Sequence, residues 1–176
     1  MIFEKKLMPD FVLSSFRDVT PEYLSSLGAK ALVSDIDNTL ATYDDLDAPP
    51  DVADWVRSLS DAGISLTLVS NNRSDRVDRF CKGLPCRSYA NVKKPSIKYI
   101  LLAMKESGSG KDDTVFLGDQ LLTDSLAAHR AGIRALIVPP IKDKRSLFFK
   151  FKRFIEKPYM KKFRRLKEAA ENDRRK

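Results

Sequence analysis

The chain has 176 residues, of which 43% are hydrophobic and 32% charged, so it is long and apolar enough for one folded domain and unlike a disordered segment. No apolar run is long enough to cross a bilayer, and the two cysteines, Cys81 and Cys86, lack the spacing of a metal site. The net charge of +8 is uneven, because residues 142–176 carry 15 Lys and Arg against 5 Asp and Glu, whereas residues 1–141 carry 17 against 19.

These properties predict a cytoplasmic protein with two parts of different charge. Residues 1–10 lack the apolar core of a signal peptide, and we expect both cysteines to be reduced thiols. Residues 1–141 are expected to form the folded domain, with residues 1–30 as its N-terminal leader. Residues 142–176 are expected to form a basic amphipathic C-terminal tail, which is a property that concerns partners more than fold.

Strand and helix patterns alternate along the chain from Ala31 onward. Before that point, Thr20 and Pro21 mark a helix start in the leader, as a capping residue followed by proline in the first turn. The predicted strands are Ala31–Asp35, Ile64–Ser70, Arg87–Ala90, Thr114–Gly118 and Arg134–Val138, and the predicted helices are Val52–Ala62, Ser74–Lys82, Ser96–Ser107 and Leu122–Ala131. This alternation predicts an α/β fold, a three-layer sandwich whose doubly wound parallel sheet is covered by helices on both faces.

Polar clusters follow four of the predicted strands. They are Asp35 with Asp37, Ser70-Asn71-Asn72, Lys94-Pro95, and the segment Gly118–Asp124. Each cluster alone fits a solvated turn or a helix cap, but in a parallel sheet all four meet at the edge where such sheets bind ligands. Two anions as close as Asp35 and Asp37 are unfavourable unless a cation or a proton stabilises them. Because oxygens are the available ligands, the pair predicts a hard metal ion such as Mg²⁺.

The same set of side chains suits phosphoryl transfer. One carboxylate can attack phosphorus and form an acyl phosphate, while a second protonates the leaving oxygen and later takes a proton from water. A hydroxyl, an ammonium group and backbone N–H groups can hold the phosphate oxygens. Further carboxylates can hold the metal ion that offsets the charge of nucleophile and substrate.

Four motifs carry a family resemblance: Asp-Ile-Asp-Asn-Thr at 35–39, Ser-Asn-Asn at 70–72, Lys-Pro at 94–95 and Gly-Asp-Gln-Leu-Leu-Thr-Asp at 118–124. Their order and spacing resemble the haloacid dehalogenase (HAD) superfamily of aspartate-nucleophile phosphatases. Residues 8–140 resemble the YqeG-type branch of subfamily IIIA, which is similar to mitochondrial phosphatidylglycerophosphate phosphatases of fungi and plants. The resemblance implies a HAD-like Rossmannoid fold and a magnesium-dependent phosphatase.

The resemblance also implies the catalytic and metal-binding residues. Asp35 would be the nucleophile and a magnesium ligand. Asp37 would be the general acid and base, with its backbone carbonyl on the metal, and Lys94 would pair with nucleophile and phosphate. Asp119 would be a direct metal ligand and Asp124 the second carboxylate of this group.

Phosphate binding falls, by the same resemblance, to the Ser70 hydroxyl and the backbone N–H of Asn71, with Thr39 bracing the loop. Two positions depart from the related sequences without touching a motif position. Ser34 interrupts the apolar run where relatives carry an apolar residue, and His129 stands where the branch commonly has Asn. We expect His129 to lie on a helix surface, because every catalytic role it could take is already filled.

The spacing of the motifs predicts a capless enzyme. Residues 39–70 and 72–94 must already supply loops, two helices and two strands, which leaves no room for a folded cap domain. An open pocket suits a large or anchored phosphomonoester, and the favoured substrate, chosen on the family resemblance, is phosphatidylglycerophosphate or a related lipid headgroup phosphate.

The tail has apolar residues at helical spacing among basic ones: Phe148, Phe151, Ile155, Tyr159, Phe163 and Leu166. A basic amphipathic helix predicts peripheral contact with an anionic membrane, here at the inner membrane surface. Packing of the apolar stripe on the protein's own domain fits the pattern equally well. RNA is a third partner that fits, because attraction to phosphate is not selective by itself.

Two other functions fit the sequence. One is a phosphatase for a soluble or nucleic-acid-terminal phosphate. The other is an RNA- or ribosome-binding protein on a HAD fold, whose phosphatase activity is incidental. The complete motifs favour an enzyme, because a pure binding protein has no need of Asp37 or Lys94.

Overall fold

A six-stranded parallel sheet lies at the centre of the structure, a computed structural model that describes residues 6–142 and 158–161. In chain order the elements are β1 (Phe11–Val12), a 3₁₀ turn (Phe16–Asp18), α1 (Pro21–Ser26), β2 (Ala31–Asp35), α2 (Pro50–Asp61), β3 (Ser65–Val69), α3 (Ser74–Phe80), β4 (Arg87–Tyr89), α4 (Lys98–Ser107), β5 (Thr114–Gly118), a π-helical turn (Leu121–Ser125), α5 (Leu126–Ala131) and β6 (Arg134–Ile137). The strand order across the sheet is β1-β6-β5-β2-β3-β4, which confirms the predicted doubly wound parallel sheet.

The strand order reverses at β2, the strand that carries the first motif. This strand pairs with β3 on one side and β5 on the other, and Ala31 lies opposite both Ser65 and Thr114. The three strands are therefore aligned in register and end at the same edge of the sheet. Ligands of open α/β sheets bind beyond the carboxyl ends of the strands at such a reversal, so the topology itself marks the position of the site.

Helices cover both faces of the sheet and enclose two apolar cores. Trp55 of α2 and Phe80 of α3 pack in the first core, while Ile100 of α4 packs with residues of α5 in the second. The consecutive strand residues Leu32 and Val33 point into different cores. Because β2 is buried on both faces, it begins with three consecutive apolar residues, 31–33, instead of alternating apolar and polar ones.

The N-terminal leader packs on the domain. Phe16 meets Trp55 edge to face at a ring distance of 5.4 Å, and the Trp55 indole N–H donates to the carbonyl of Val19 over 2.9 Å. Strand β1 adds to the edge of the sheet beside β6. The sequence analysis did not predict β1, because two residues give no periodic pattern.

The strand bounds follow the prediction closely, and β2 and β5 match it in full. The predicted helix Leu122–Ala131 was wrong in its first part, where a π-helical turn precedes a shorter α-helix. Residues 39–70 contain a loop, α2 and β3, and residues 72–94 contain α3 and β4, so neither interval holds a cap domain.

The predicted amphipathic stripe of the tail lies almost wholly outside the described residues, which include only 142 and the helical residues 158–161 of that segment. Within the parts of the chain that the structure describes, no helix has the length and apolar character needed to cross a membrane.

Candidate active site

The first motif lies in a tight loop directly after β2. Asp35 ends the strand, and Asp35, Asp37 and Thr39 are all buried. Between them, Asn38 adopts a φ of 70°, a left-handed conformation that Asn tolerates better than most residues. The Thr39 hydroxyl donates to the Asp35 carboxylate over 3.3 Å, so the loop folds back onto the residue expected to be the nucleophile.

Three buried carboxylates meet at this loop. Asp35, Asp119 and Asp124 each offer an oxygen, and these oxygens lie within 4.8 Å of one another. Burial raises the pKa of Asp35 to about 7, with the neighbouring carboxylates of Asp124 and Asp37 adding to the rise and Lys94 opposing it. Burial and then the charges of Asp124 and Asp35 also raise the pKa of Asp119 well above its usual value. Carboxylates packed this closely ionise more easily when a cation lies between them. Because all the available ligand atoms are oxygens, the cluster fits Mg²⁺.

Lys94 provides the positive charge of the cluster. Its ammonium group forms ion pairs with Asp35 and, over 2.8 Å, with Asp124, and its side chain is 5% exposed. Burial lowers the pKa of Lys94, but the two carboxylates raise it more, so the net shift is upward and the group stays protonated. The amide oxygen of Asn71 accepts a hydrogen bond from the Lys94 backbone N–H over 2.7 Å and so connects the second and third motifs.

Asp124 is positioned by the turn between β5 and α5. One of its carboxylate oxygens accepts from the backbone N–H groups of Asp119 at 3.2 Å and Gln120 at 3.1 Å. Gly118 leaves room for this arrangement, because a Cβ at that position would lie 2.4–2.5 Å from atoms of the Asp124 side chain. The π-helical turn occurs here, beside the three buried carboxylates, and such turns are frequent at functional sites.

Asp37 faces a different set of partners from Asp35. The Ser70 hydroxyl donates to its Oδ2 over 2.7 Å, and the Asn72 amide lies at 3.5 Å from the same oxygen. The guanidinium group of Arg76 donates to its Oδ1 through two nitrogens, at 3.0 and 2.8 Å. The structure thus brings the expected acid and base next to the expected phosphate-binding hydroxyl.

Two residues near the site were missed by the sequence analysis. Arg76 lies on α3, and no motif or period distinguishes it from the exposed basic residues around it. Tyr43 lies in the loop after the first motif, where burial and then the charges of Asp35, Asp119 and Asp37 raise the pKa of its hydroxyl. Only the folded structure brings these side chains to the carboxylates.

His129 lies away from this cluster, as the sequence analysis expected. Its Nε2 and the Asp10 carboxylate are 2.8 Å apart, and its Nδ1 is 2.8 Å from the carbonyl of Lys6. Ser34 also has a local role, since its buried hydroxyl donates to the carbonyl of Asp35 over 2.9 Å.

Solved phosphatases share this fold. The 3-deoxy-D-manno-octulosonate 8-phosphate phosphatase from Moraxella catarrhalis, in complex with magnesium ion, phosphate ion and KDO, matches with a TM-score of 0.52 and 18% identity, over 69% of this chain and 75% of that one. The cobalt-bound deoxy-D-mannose-octulosonate 8-phosphate phosphatase from Haemophilus influenzae matches with a TM-score of 0.51 and 19% identity, over 72% and 75% of the two chains. At these identities the likeness shows the fold alone.

Sequence comparison gives a narrower result. The chain is 32% identical to the "Probable phosphatase YqeG" of Bacillus subtilis (strain 168) over 156 aligned residues. The alignment covers 89% of this chain and 91% of the relative. The sequence profile of the family described as "Haloacid dehalogenase-like hydrolase" matches residues 12–138, a stretch that contains all four motifs. The chain therefore belongs to the haloacid dehalogenase-like hydrolases, and within them to the phosphatase family of its Bacillus relative.

Proposed function

We propose that this protein is a magnesium-dependent phosphatase that hydrolyses a phosphomonoester through a phosphorylated aspartate at position 35. The observation that carries the proposal is the convergence of three buried carboxylates and Lys94 beside a fourth carboxylate, Asp37, that accepts a hydrogen bond from Ser70. The probable phosphatase of Bacillus, 32% identical over 89% of this chain, supports the same activity.

In the first step, a carboxylate oxygen of Asp35 attacks phosphorus and the bond from phosphorus to the leaving oxygen breaks. The electron pair goes to the leaving oxygen, which takes a proton from the Asp37 carboxyl group. In the second step, Asp37 takes a proton from water, the resulting hydroxide attacks phosphorus, and the acyl phosphate bond breaks. Asp35 is regenerated and inorganic phosphate leaves.

The other motif residues hold the phosphate and balance its charge. The Ser70 hydroxyl and the Asn71 backbone N–H would donate to phosphate oxygens, with Thr39 bracing the loop, and Lys94 would offset charge on the nucleophile and the phosphate. A magnesium ion held by Asp35, Asp119, Asp124 and the backbone carbonyl of Asp37 would supply further charge compensation.

The proposed substrate is phosphatidylglycerophosphate or a related lipid headgroup phosphate. The family resemblance motivates this choice, and the absence of a cap domain in residues 39–94 supports it, because an open site can admit an anchored substrate. Residue 142, where the basic tail begins, is held against the catalytic loop. The Asn38 amide donates to the Lys142 carbonyl over 2.8 Å, and the Lys142 N–H donates to the Asn38 amide oxygen over 3.2 Å.

This placement supports a peripheral contact between an anionic membrane and the side of the protein that carries the site. Positive charge near an anionic leaflet adds about 1 kcal/mol of attraction per basic residue. A tail that starts beside the catalytic loop would concentrate this attraction next to the open pocket.

Rates of phosphate release from a panel of substrates test the proposal. The panel contains phosphatidylglycerophosphate in mixed micelles, sugar phosphates, nucleotides and a 5′-phosphorylated oligonucleotide, each with Mg²⁺ and with EDTA. We expect the highest kcat/KM for the lipid phosphate and no turnover under chelation. A preference for the sugar phosphates, nucleotides or oligonucleotide would contradict the lipid substrate and favour the soluble or nucleic-acid alternative. RNA binding without turnover of any ester would favour the binding-protein alternative.

A further inference from the structure

We propose that Arg76 is a positioning residue for this reaction, which holds one oxygen of Asp37 so that the other oxygen is presented for proton transfer. The proposal rests on the phosphatase function proposed above. It concerns a residue outside the four motifs and assigns different roles to the two oxygens of one carboxylate.

The partners of Asp37 divide cleanly between its two oxygens. Oδ1 accepts from Nε of Arg76 at 3.0 Å and from Nη2 at 2.8 Å. Oδ2 accepts from the Ser70 hydroxyl at 2.7 Å and, at the longer distance of 3.5 Å, from the Asn72 side-chain amide. The side chains of Arg76 and Asp37 are 11% and 8% exposed, so water competes little for these contacts. A charge-assisted pair in such a setting fixes the orientation of the carboxylate.

Arg76 is itself fixed by the loop that follows the first motif. Nη1 donates to the carbonyl of Asp45 over 2.9 Å and Nη2 donates to the carbonyl of Thr42 over 3.0 Å. The guanidinium group therefore spans α3, this loop and Asp37 with four hydrogen bonds. A lysine could carry the same charge, but its single ammonium group lacks the planar fork with which the guanidinium group reaches Asp37 and both loop carbonyls at once.

The hydrogen-bonding capacity of Ser70 explains why Oδ2 is the oxygen that changes partner. A serine hydroxyl has one proton to donate. When Ser70 donates to a substrate phosphate, as proposed above, Oδ2 keeps only the longer contact with the Asn72 amide, whereas Oδ1 keeps both hydrogen bonds from Arg76. A protonated Asp37 retains this arrangement, because the oxygen without the proton remains an acceptor.

Oδ2 would then serve both steps. It gives its proton to the leaving oxygen as the ester bond breaks, and it takes a proton from the attacking water in the second step. Arg76 touches neither the leaving group nor the water in this scheme, so its effect on the rate acts through the orientation of Asp37.

The dependence on leaving group separates this role from a purely structural one. Esters with poor leaving groups need the proton from Asp37, whereas p-nitrophenolate departs readily as an anion. We expect Arg76→Gln to lower kcat/KM for an alkyl phosphate such as glycerol phosphate by about 10²-fold and that for p-nitrophenyl phosphate by no more than about tenfold. A general loss of fold or of metal would lower both by the same factor.

Arg79→Gln is the matched control. Arg79 lies one turn further along α3 and holds the same loop through Asp47, at 2.9 and 2.6 Å, but it is exposed and does not contact Asp37. We expect this variant to hydrolyse both esters at close to wild-type rates. A leaving-group effect in Arg79→Gln as large as that in Arg76→Gln would overturn the proposal, because anchoring of the loop alone would then explain it.

If Arg76→Gln fails to fold, Arg76→Lys serves in its place, because it keeps the positive charge. We expect it to show the same leaving-group pattern with a smaller loss. Equal loss on both esters in either Arg76 variant, or wild-type rates on both in Arg76→Lys, would contradict the positioning role. A wild-type protein inactive with Mg²⁺ on both esters and on phosphatidylglycerophosphate in mixed micelles would instead contradict the phosphatase function and remove the basis of this role.

Discussion

At the scale of single residues, the site depends on close approach as much as on charge. Asp124 is completely buried, and its side chain occupies the space that a Cβ at Gly118 would need. Asp35 resists ionisation through burial and through its carboxylate neighbours, so Lys94 and a metal ion are needed to stabilise its charged form. Small changes in backbone or side-chain position should therefore alter metal binding strongly.

Gly118→Ala tests this dependence on space. Its Cβ would lie 2.4–2.5 Å from Asp124, so the carboxylate must move away. We expect a large loss of Mg²⁺ affinity in a titration of the folded protein. Gly110→Ala is the control, because a Cβ there would meet only Asp113 at 3.7 Å, an ordinary contact. Equal Mg²⁺ affinity in the two variants would contradict the account of Asp124.

At the scale of elements, the sequence predicted the parts of the fold that repeat. Buried parallel strands contain consecutive apolar residues, such as 31–33 in β2, and glycine and proline residues near the ends of elements are visible in the chain. The motif residues were predictable because parallel strands end at one edge. The two-residue strand Phe11–Val12 and the contact of Arg76 with Asp37 were not predictable, because each depends on partners distant in sequence. The π-helical turn was not predictable either, because a helical sequence pattern does not distinguish a single π turn from an α-helix.

The leader contacts α5 and β6 through Asp10, whose carboxylate pairs with His129 and accepts a hydrogen bond from the Ala135 N–H. Both Asp10 and His129 titrate. Burial lowers the pKa of His129, but Asp10 and the Lys6 carbonyl raise it more, so the net shift is upward. Burial raises the pKa of Asp10, but His129 and the Ala135 N–H lower it more, so the net shift is downward. The histidine contribution to stability is complete below its unfolded pKa of about 6.5 and is lost as the pH rises through its folded value. The aspartate contribution is present above about 3.9 and is lost as the pH falls through its folded value.

His129→Gln tests this pair. We expect the loss in free energy of unfolding, measured by urea denaturation, to be largest between about pH 4 and 6.5 and to shrink at higher pH. Comparison of wild type with variant removes the contribution of Asp35, which both proteins share. A loss that does not vary with pH would mean that the ion pair adds nothing to the stability of the leader.

At the scale of the whole molecule, the positive charge is concentrated at the C-terminal end of the sequence. Residues 143–176 contain 14 Lys and Arg against 5 Asp and Glu. Lys142, just before them, is held to the body by its contacts with Asn38 and by an ion pair with Asp44 at 2.6 Å. A truncation after Lys142 therefore removes most of the positive charge and keeps the residue that contacts Asn38 and Asp44.

We expect this truncation to leave turnover of a small soluble phosphomonoester nearly unchanged. Co-sedimentation with anionic vesicles should fall sharply, and added salt should weaken vesicle binding by the full-length chain, because screening shortens the range of the attraction. Vesicle binding equal to that of the full-length protein would contradict the membrane role. A drop in melting temperature would indicate that the tail packs on the domain, and a preference of the full-length chain for RNA over vesicles would favour a nucleic-acid partner.

The hydrolysis rate of Asp35→Asn is the sharpest test of the phosphorylated-aspartate mechanism, because this change keeps the shape of the side chain but removes the attacking charge and a metal ligand. With Mg²⁺ present, we expect only background hydrolysis of every ester. The melting temperature of the variant, measured without Mg²⁺, should match that of the wild type and show an intact fold. Asp61→Asn, a change at an exposed carboxylate at the end of α2, should retain the wild-type rate. Appreciable turnover by pure Asp35→Asn protein would contradict the aspartyl-phosphate mechanism.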